Sequence, residues 1–209
     1  MGNSLEQLDQ AFSTADFPAG AHVCLIYETE EERRDLVAKF LKTGLDSREQ
    51  VLYFTDVMTP AQLFDWLSDL GLDVPGSAET SRFKVSDAES VYCPNGIFDP
   101  QAMFGYWERA SREAVEQGFR GVRATGETSW AVRGIPGSDR LIEYEALLNK
   151  TLEGLPATAF CQYDVNLFDG GTLLDVLRVH PVVISRGQVV RNPLYLRPDE
   201  FFARRAARG

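Results

Sequence analysis

The chain has 209 residues, with 31 acidic against 21 basic side chains and a formal net charge of -10. Hydrophobic residues make up 44% and charged ones 25%, which is ordinary globular composition, and one domain of this length buries roughly 70% of its unfolded surface. The acidic balance argues against direct nucleic-acid binding, which needs a basic stripe to neutralise phosphates; Arg204, Arg205 and Arg208 near the end read as a solvated terminus. Cys24, Cys93 and Cys161 lie far apart with no C-x-x-C pair, so free thiols in a reducing, cytoplasmic compartment are expected. No apolar run approaches the roughly 18 residues of a membrane span, and Met1 to Phe17 lacks the basic start and apolar stretch of a signal peptide.

Short β-branched or aromatic runs alternate with helical patterns, the signature of a parallel sheet. The first run is His22 to Tyr27. Thr29-Glu30-Glu31-Glu32 reads as a capping box opening a helix with Leu36, Val37, Phe40 and Leu41 on one face. Val51 to Thr55 is the second strand, and Thr59-Pro60-Ala61-Gln62 opens the next helix. Phe83 to Ser86 is a third strand. Asp99-Pro100 opens a helix carrying Met103, Phe104, Trp107, Ala110 and Ala114. Gly121 to Thr125 is a fourth strand, Arg140 to Leu152 a helix, Ala157 to Tyr163 a fifth strand, and Leu173 to Leu177 a short helix. Val182 to Ile184, Arg186-Gly187 and Val189-Val190 form a hairpin, placing an antiparallel pair at the edge of the sheet. The fold class is therefore α/β: three layers, a mostly parallel sheet flanked by helices, with a C-terminal antiparallel hairpin. Residues 18–198 form one domain, 1–17 an N-terminal tail and 199–209 a C-terminal tail.

In an open parallel sheet, ligands bind beyond the carboxyl ends of the strands. Glu28, Asp56, Asp87 with Glu89, Glu127 and Asp164 follow five successive strands, an acidic rim whose members also suit helix caps and solvated turns. Glu127 stands in Gly126-Glu127-Thr128-Ser129-Trp130, where Gly allows close approach and Trp offers an apolar wall with one N–H. The first strand–helix junction, Tyr27-Glu28-Thr29-Glu30-Glu31-Glu32, has neither G-x-x-x-x-G-K-[ST] nor G-x-G-x-x-G, and its carboxylates would repel a triphosphate. His22 and Cys24, two apart on a strand, share a face and could chelate a soft metal with His180 or Cys161. Their other reading is a buried thiol beside a hydrogen-bonded imidazole. The expectation is no metal and no cofactor.

Taken together, His22-Val-Cys-Leu-Ile-Tyr27, Phe98-Asp99-Pro100, Gly126 to Trp130, Tyr144-Glu145 with Asn149, Cys161-Gln162-Tyr163-Asp164, His180-Pro181 and Arg191-Asn192-Pro193 with Tyr195 form an ordered set over nearly the whole chain. This set resembles the MEDS family, the methanogen/methylotroph, dichloromethane-regulator-type sensory domain. The resemblance implies a RecA-like core without a working P-loop, sensing small hydrocarbon derivatives and often fused to DNA-binding or kinase-type modules. No such module can be placed here, so the chain would signal through a protein partner or an output module. The expected ligand-binding residues are Tyr27, Glu127, Trp130, Gln162, Tyr163 and Asp164, with His22 and Cys24 as a second site or part of the core. No catalytic residue is assigned. Two further readings are a degenerate ATPase-like interaction module, and a metal-assisted hydrolase or transferase with a metal bridging Glu127 and Asp164.

Overall fold

The computed structural model describes residues 17–72 and 81–207. Seven strands form one sheet among the described residues: β1 (His22–Tyr27), β2 (Gln50–Thr55), β3 (Phe83–Asp87), β4 (Val122–Glu127), β5 (Ala157–Asp164), β6 (Val182–Ser185) and β7 (Gln188–Arg191). Their order is β3-β2-β4-β5-β1-β6-β7, and every pairing is parallel except β6 with β7. The helices are α1 (Glu30–Asp46), α2 (Pro60–Asp69), α3 (Ala88–Tyr92), α4 (Pro100–Glu116), α5 (Leu141–Glu153), α6 (Gly170–Val179) and α7 (Pro198–Ala206). β2 and β4 are buried along their whole length, as strands covered on both faces must be.

Two apolar cores divide along the sheet. Val23, Leu25, Tyr27, Val51, Tyr53 and Phe160 point toward α1 and α2; Cys24, Leu52, Phe54, Ala124, Cys161 and Tyr163 point toward α4, α5 and α6. The split follows from the two-residue period of a strand. These surfaces are called below the α1 face and the α5 face.

The sequence signals at the helix starts are met by side-chain caps. At Thr59 the capping box is complete, with Gln62 returning the bond. At Thr29 only half of the expected box forms: the hydroxyl accepts from the Glu32 N–H, while Glu32 Oε1 is buried without a partner. Asp99 and Asp169 cap α4 and α6. The hairpin turn has φ of 50° at Arg186 and 71° at Gly187, the doubly positive pair that suits the strand twist.

Residues 1–16 lie outside the described residues, but Phe17 is already core, its ring 6.3 Å from that of Phe40. Residues 198–206 are helix α7, held by Phe201 in a small cluster with Ala146 and Val179. Arg204 pairs with Glu200 on that helix; Arg208 lies outside the described residues.

Candidate functional site

At the carboxyl ends of β1, β2, β4 and β5, on the α1 face, a charged network gathers around the buried side chains of Arg33 and Glu127. Arg33, one turn into α1, belongs to the same stripe as Leu36, Val37 and Phe40, so it is carried into the core. Its Nη1 donates to Tyr53 Oη at 3.0 Å, to Glu127 Oε1 at 3.0 Å and to Gln162 Oε1 at 3.1 Å. Nε and Nη2 donate to Glu30. Glu127, the last residue of β4, also accepts from the Tyr53 hydroxyl at 3.0 Å and, through Oε2, from the Asp56 and Val57 N–H groups at 2.8 and 2.6 Å. Burial opposes the Arg33 charge, but Tyr53, Glu30 and Glu127 outweigh it and hold the guanidinium firmly protonated. Burial, then Glu127, raises the Tyr53 phenol. All of the Glu127 carboxylate's charge is therefore met internally.

The expected binding residues do not line one crevice. Glu127, Gln162 and Tyr27 converge around Arg33 on the α1 face, the guanidinium 5.7 Å from the Tyr27 ring centroid. Trp130 and Tyr163 lie on the other side of the sheet. Trp130, at 0% exposure, stacks on Tyr92 at 5.0 Å and meets Phe98 at 4.9 Å. Tyr163 donates its hydroxyl to Glu145. Asp164 organises the following turn by accepting from Asn166. Most of the acidic rim is local chemistry: Asp87 caps α3, Glu28 is exposed, and Asp56 and Glu89 are bound by Arg133 at 2.7 and 2.8 Å. Glu127 and Asp164 have separate partners, Arg33 for the first and Asn166 for the second.

A second polar cluster lies beneath the α5 face. The strand register sets Cys24 beside Cys161 and His22 beside Ala159. Helix α5 brings Glu145 and Asn149 on to the strands, and His180 follows α6. His22 Nε2 is 2.9 Å from Glu145 Oε2, His180 Nε2 is 3.4 Å from the same oxygen, and Cys161 Sγ lies 3.6 Å from both His22 Nε2 and Glu145 Oε2. Tyr163 donates to Glu145 Oε1 at 2.8 Å, and the two imidazole centroids are 4.1 Å apart. Burial, then the neighbouring His180, lowers the His22 basicity. Burial opposes ionisation of Glu145, but the neighbouring His180 and His22 outweigh it and hold the carboxyl well below its usual range. Burial raises the Cys24 and Cys161 thiols, with Glu145 the next cause. Of this group, the sequence marks His22 and Cys24 as a second site or part of the core, with His180 or Cys161 as further donors. Glu145 and Arg33 carried no expected role. Both sit at i, i+3/i+4 spacing with apolar neighbours (Leu141 and Leu148; Leu36 and Val37), and that spacing was the available signal that they face inward.

The architecture is that of a RecA-like α/β domain. It aligns with a KaiC-like protein of Pyrococcus horikoshii OT3 at TM-score 0.55 and 17% identity, covering 80% of this chain and 71% of that one. Similar fits are found to an uncharacterised protein of the same archaeon in complex with an unknown peptide (TM-score 0.61, 18% identity, 88% and 86% coverage). A third is to the flagellar accessory protein FlaH of Methanocaldococcus jannaschii (TM-score 0.58, 11% identity, 90% and 82%). Residues 21–181 match the model of the methanogen/methylotroph, DcmR sensory domain, and the chain belongs to this MEDS family. The transcriptional repressor DcmR of Methylorubrum extorquens (strain DSM 6343 / CIP 106787 / DM4) is 26% identical over 162 residues, 76% of this chain and 57% of the repressor. The chain thus spans little more than half the length of that relative, and the family to which it belongs is a sensory-domain family.

Proposed function

We propose that the domain binds a small hydrocarbon derivative in the aromatic nest around Trp130 and reports it to a protein partner or an output module. The observation that carries this reading is the Trp130 indole N–H, buried with no acceptor amid Tyr92, Phe98 and Tyr144. An unpaired buried donor costs about 1–3 kcal/mol. A ligand bearing a halogen or oxygen would supply the acceptor while its carbon skeleton packs on the rings. The 3-10 turn Ser129–Arg133 holds Trp130 at one end and Arg133, bound to Asp56 and Glu89, at the other. Displacing the indole would therefore disturb an exposed ion-pair cluster that a partner can read.

A binding role rather than nucleotide turnover is supported by the first strand–helix junction, where three carboxylates occupy the first turn of α1, and by the internal neutralisation of Glu127 by Arg33. The test is a thermal-shift screen of halogenated, methylated and amine-bearing small molecules. A hit should raise the melting temperature by mass action. Trp130→Phe keeps a ring but removes the donor, so affinity for acceptor-bearing hits should fall about tenfold, one hydrogen bond's worth, and alkane analogues should be little affected. Hits that bind the variant and wild type equally would remove the nest as the site.

A further inference from the structure

We propose that His22, Glu145, Cys161 and His180 form a four-coordinate site for one divalent metal ion of borderline softness, zinc(II) being the best match. One donor atom from each lies within 4.8 Å of all the others, and all four residues are buried.

The first argument is the orientation of the two imidazoles. Asn149 donates its Nδ2 to the carbonyl oxygens of Glu145, Ala146 and Val179, so Oδ1 is the atom facing His22 Nδ1 at 3.2 Å. That oxygen only accepts, so His22 Nδ1 donates to it. His180 Nδ1 donates in the same way to the Val176 carbonyl oxygen at 2.8 Å. Both rings are therefore turned with Nε2 toward the same carboxylate oxygen, at 2.9 and 3.4 Å, and the buried His180 Nε2 makes no hydrogen bond. Two imidazole nitrogens and a carboxylate oxygen thus converge as the ligand atoms of one metal ion do.

The second argument is metric. Tetrahedral zinc bonds of about 2.0 Å to nitrogen and oxygen and about 2.3 Å to sulfur set donors about 3.3 Å apart for N and O, and about 3.5 Å apart when one is sulfur. The separations here are 2.9 and 3.4 Å between the nitrogens and Oε2, and 3.6 Å to the sulfur. A third argument is charge: a divalent ion with one carboxylate and one thiolate is electrically neutral, which a site closed to water requires. The outer shell is also built, since Asn149 and the Val176 carbonyl fix both imidazole tautomers and Tyr163 holds the remaining carboxylate oxygen. Its donors are separate from the Trp130 nest, so the proposal stands or falls independently of the ligand reading.

The full chain, purified without chelator or polyhistidine tag, should contain one zinc per chain by elemental analysis. Because the site is buried, exchange is done by unfolding in chelator and refolding with cobalt(II), or by supplying cobalt during expression. The cobalt protein should show the visible bands of a tetrahedral ion and a near-ultraviolet thiolate-to-cobalt charge-transfer band. Cys161→Ser should abolish the charge-transfer band, while Cys24→Ser and Cys93→Ser retain it. His180→Gln should weaken cobalt retention more than tenfold. Wild-type protein that is folded by circular dichroism yet metal-free as purified, and silent with cobalt by both routes, would overturn the site and leave a proton-bridged cluster. So would a charge-transfer band that survives Cys161→Ser and disappears in Cys24→Ser.

Discussion

Arg33 and Glu127 are each no more than 3% exposed, and each is among the other's strongest partners. Removing one member of such a pair strands the other, a loss of about 3–5 kcal/mol, whereas removing both is far less harmful. Glu127→Gln should therefore lower unfolding stability by about 2–4 kcal/mol, because the amide oxygen still accepts from the Asp56 and Val57 N–H groups while Arg33 keeps only Glu30 for its charge. Arg33→Met should cost a similar amount, and the double variant clearly less than the sum in a urea-denaturation cycle; strict additivity would show that the pair is not coupled. Cys93 is set apart from the other thiols, since burial and then Glu89 push it to about 11. A raised thiol pKa means less thiolate at a given pH, so alkylation of Cys93 in the folded protein should stay slow at pH 8 and accelerate only toward pH 11, while denatured protein labels at all three cysteines. Fast native labelling at pH 8 would contradict this.

Helix and strand boundaries were legible because their signals are local. Thr59 with Gln62, Asp99 before Pro100, and Arg186-Gly187 each specify a cap or a turn within four residues, and each forms as read. The strand order was not legible, since β1 pairs with β5, whose sequence lies more than a hundred residues on. The α5-face cluster was only half legible for the same reason: His22 and Glu145 are 123 residues apart, and only the folded register brings them together. Helix α7 escaped notice although Pro198, Asp199 and Glu200 open it and Arg204 and Arg205 close it; with Phe201 as its one buried apolar anchor besides Pro198, it lacks the apolar stripe by which helices are recognised. Phe201→Ala should cost about 2–4 kcal/mol, toward the lower end of the range for core aromatic truncation because the cluster is small, read as a drop in melting temperature. At the hairpin, Arg186 holds φ of 50°, a region asparagine tolerates better. Arg186→Asn should stabilise by roughly 0.5 kcal/mol, and an unchanged or lower denaturation midpoint would speak against that strain.

For the molecule as a whole, charge decides what the domain can touch. A net charge of -10 repels a phosphate backbone unless basic side chains gather on one face. Several of the described basic side chains are instead interleaved with acids: Arg140 with Glu143, Arg204 with Glu200, Arg133 with Asp56 and Glu89, and Lys150 with Asp199. The shallow depression between the Ser138–Arg140 turn, α5 and α7 repeats this mixture, with Asp139 and Glu143 beside Arg140 and Arg205. The matched region covers only 57% of the repressor DcmR, and on the proposed reading contact with DNA belongs to a partner or an output module. The chain alone should therefore leave double-stranded DNA unshifted in gel retardation at about 50 mM salt, where electrostatic binding is strongest in practice. Retention that weakens steeply between about 50 and 200 mM salt would reveal phosphate contacts that this charge arrangement does not provide, and would assign DNA binding to the sensory domain itself.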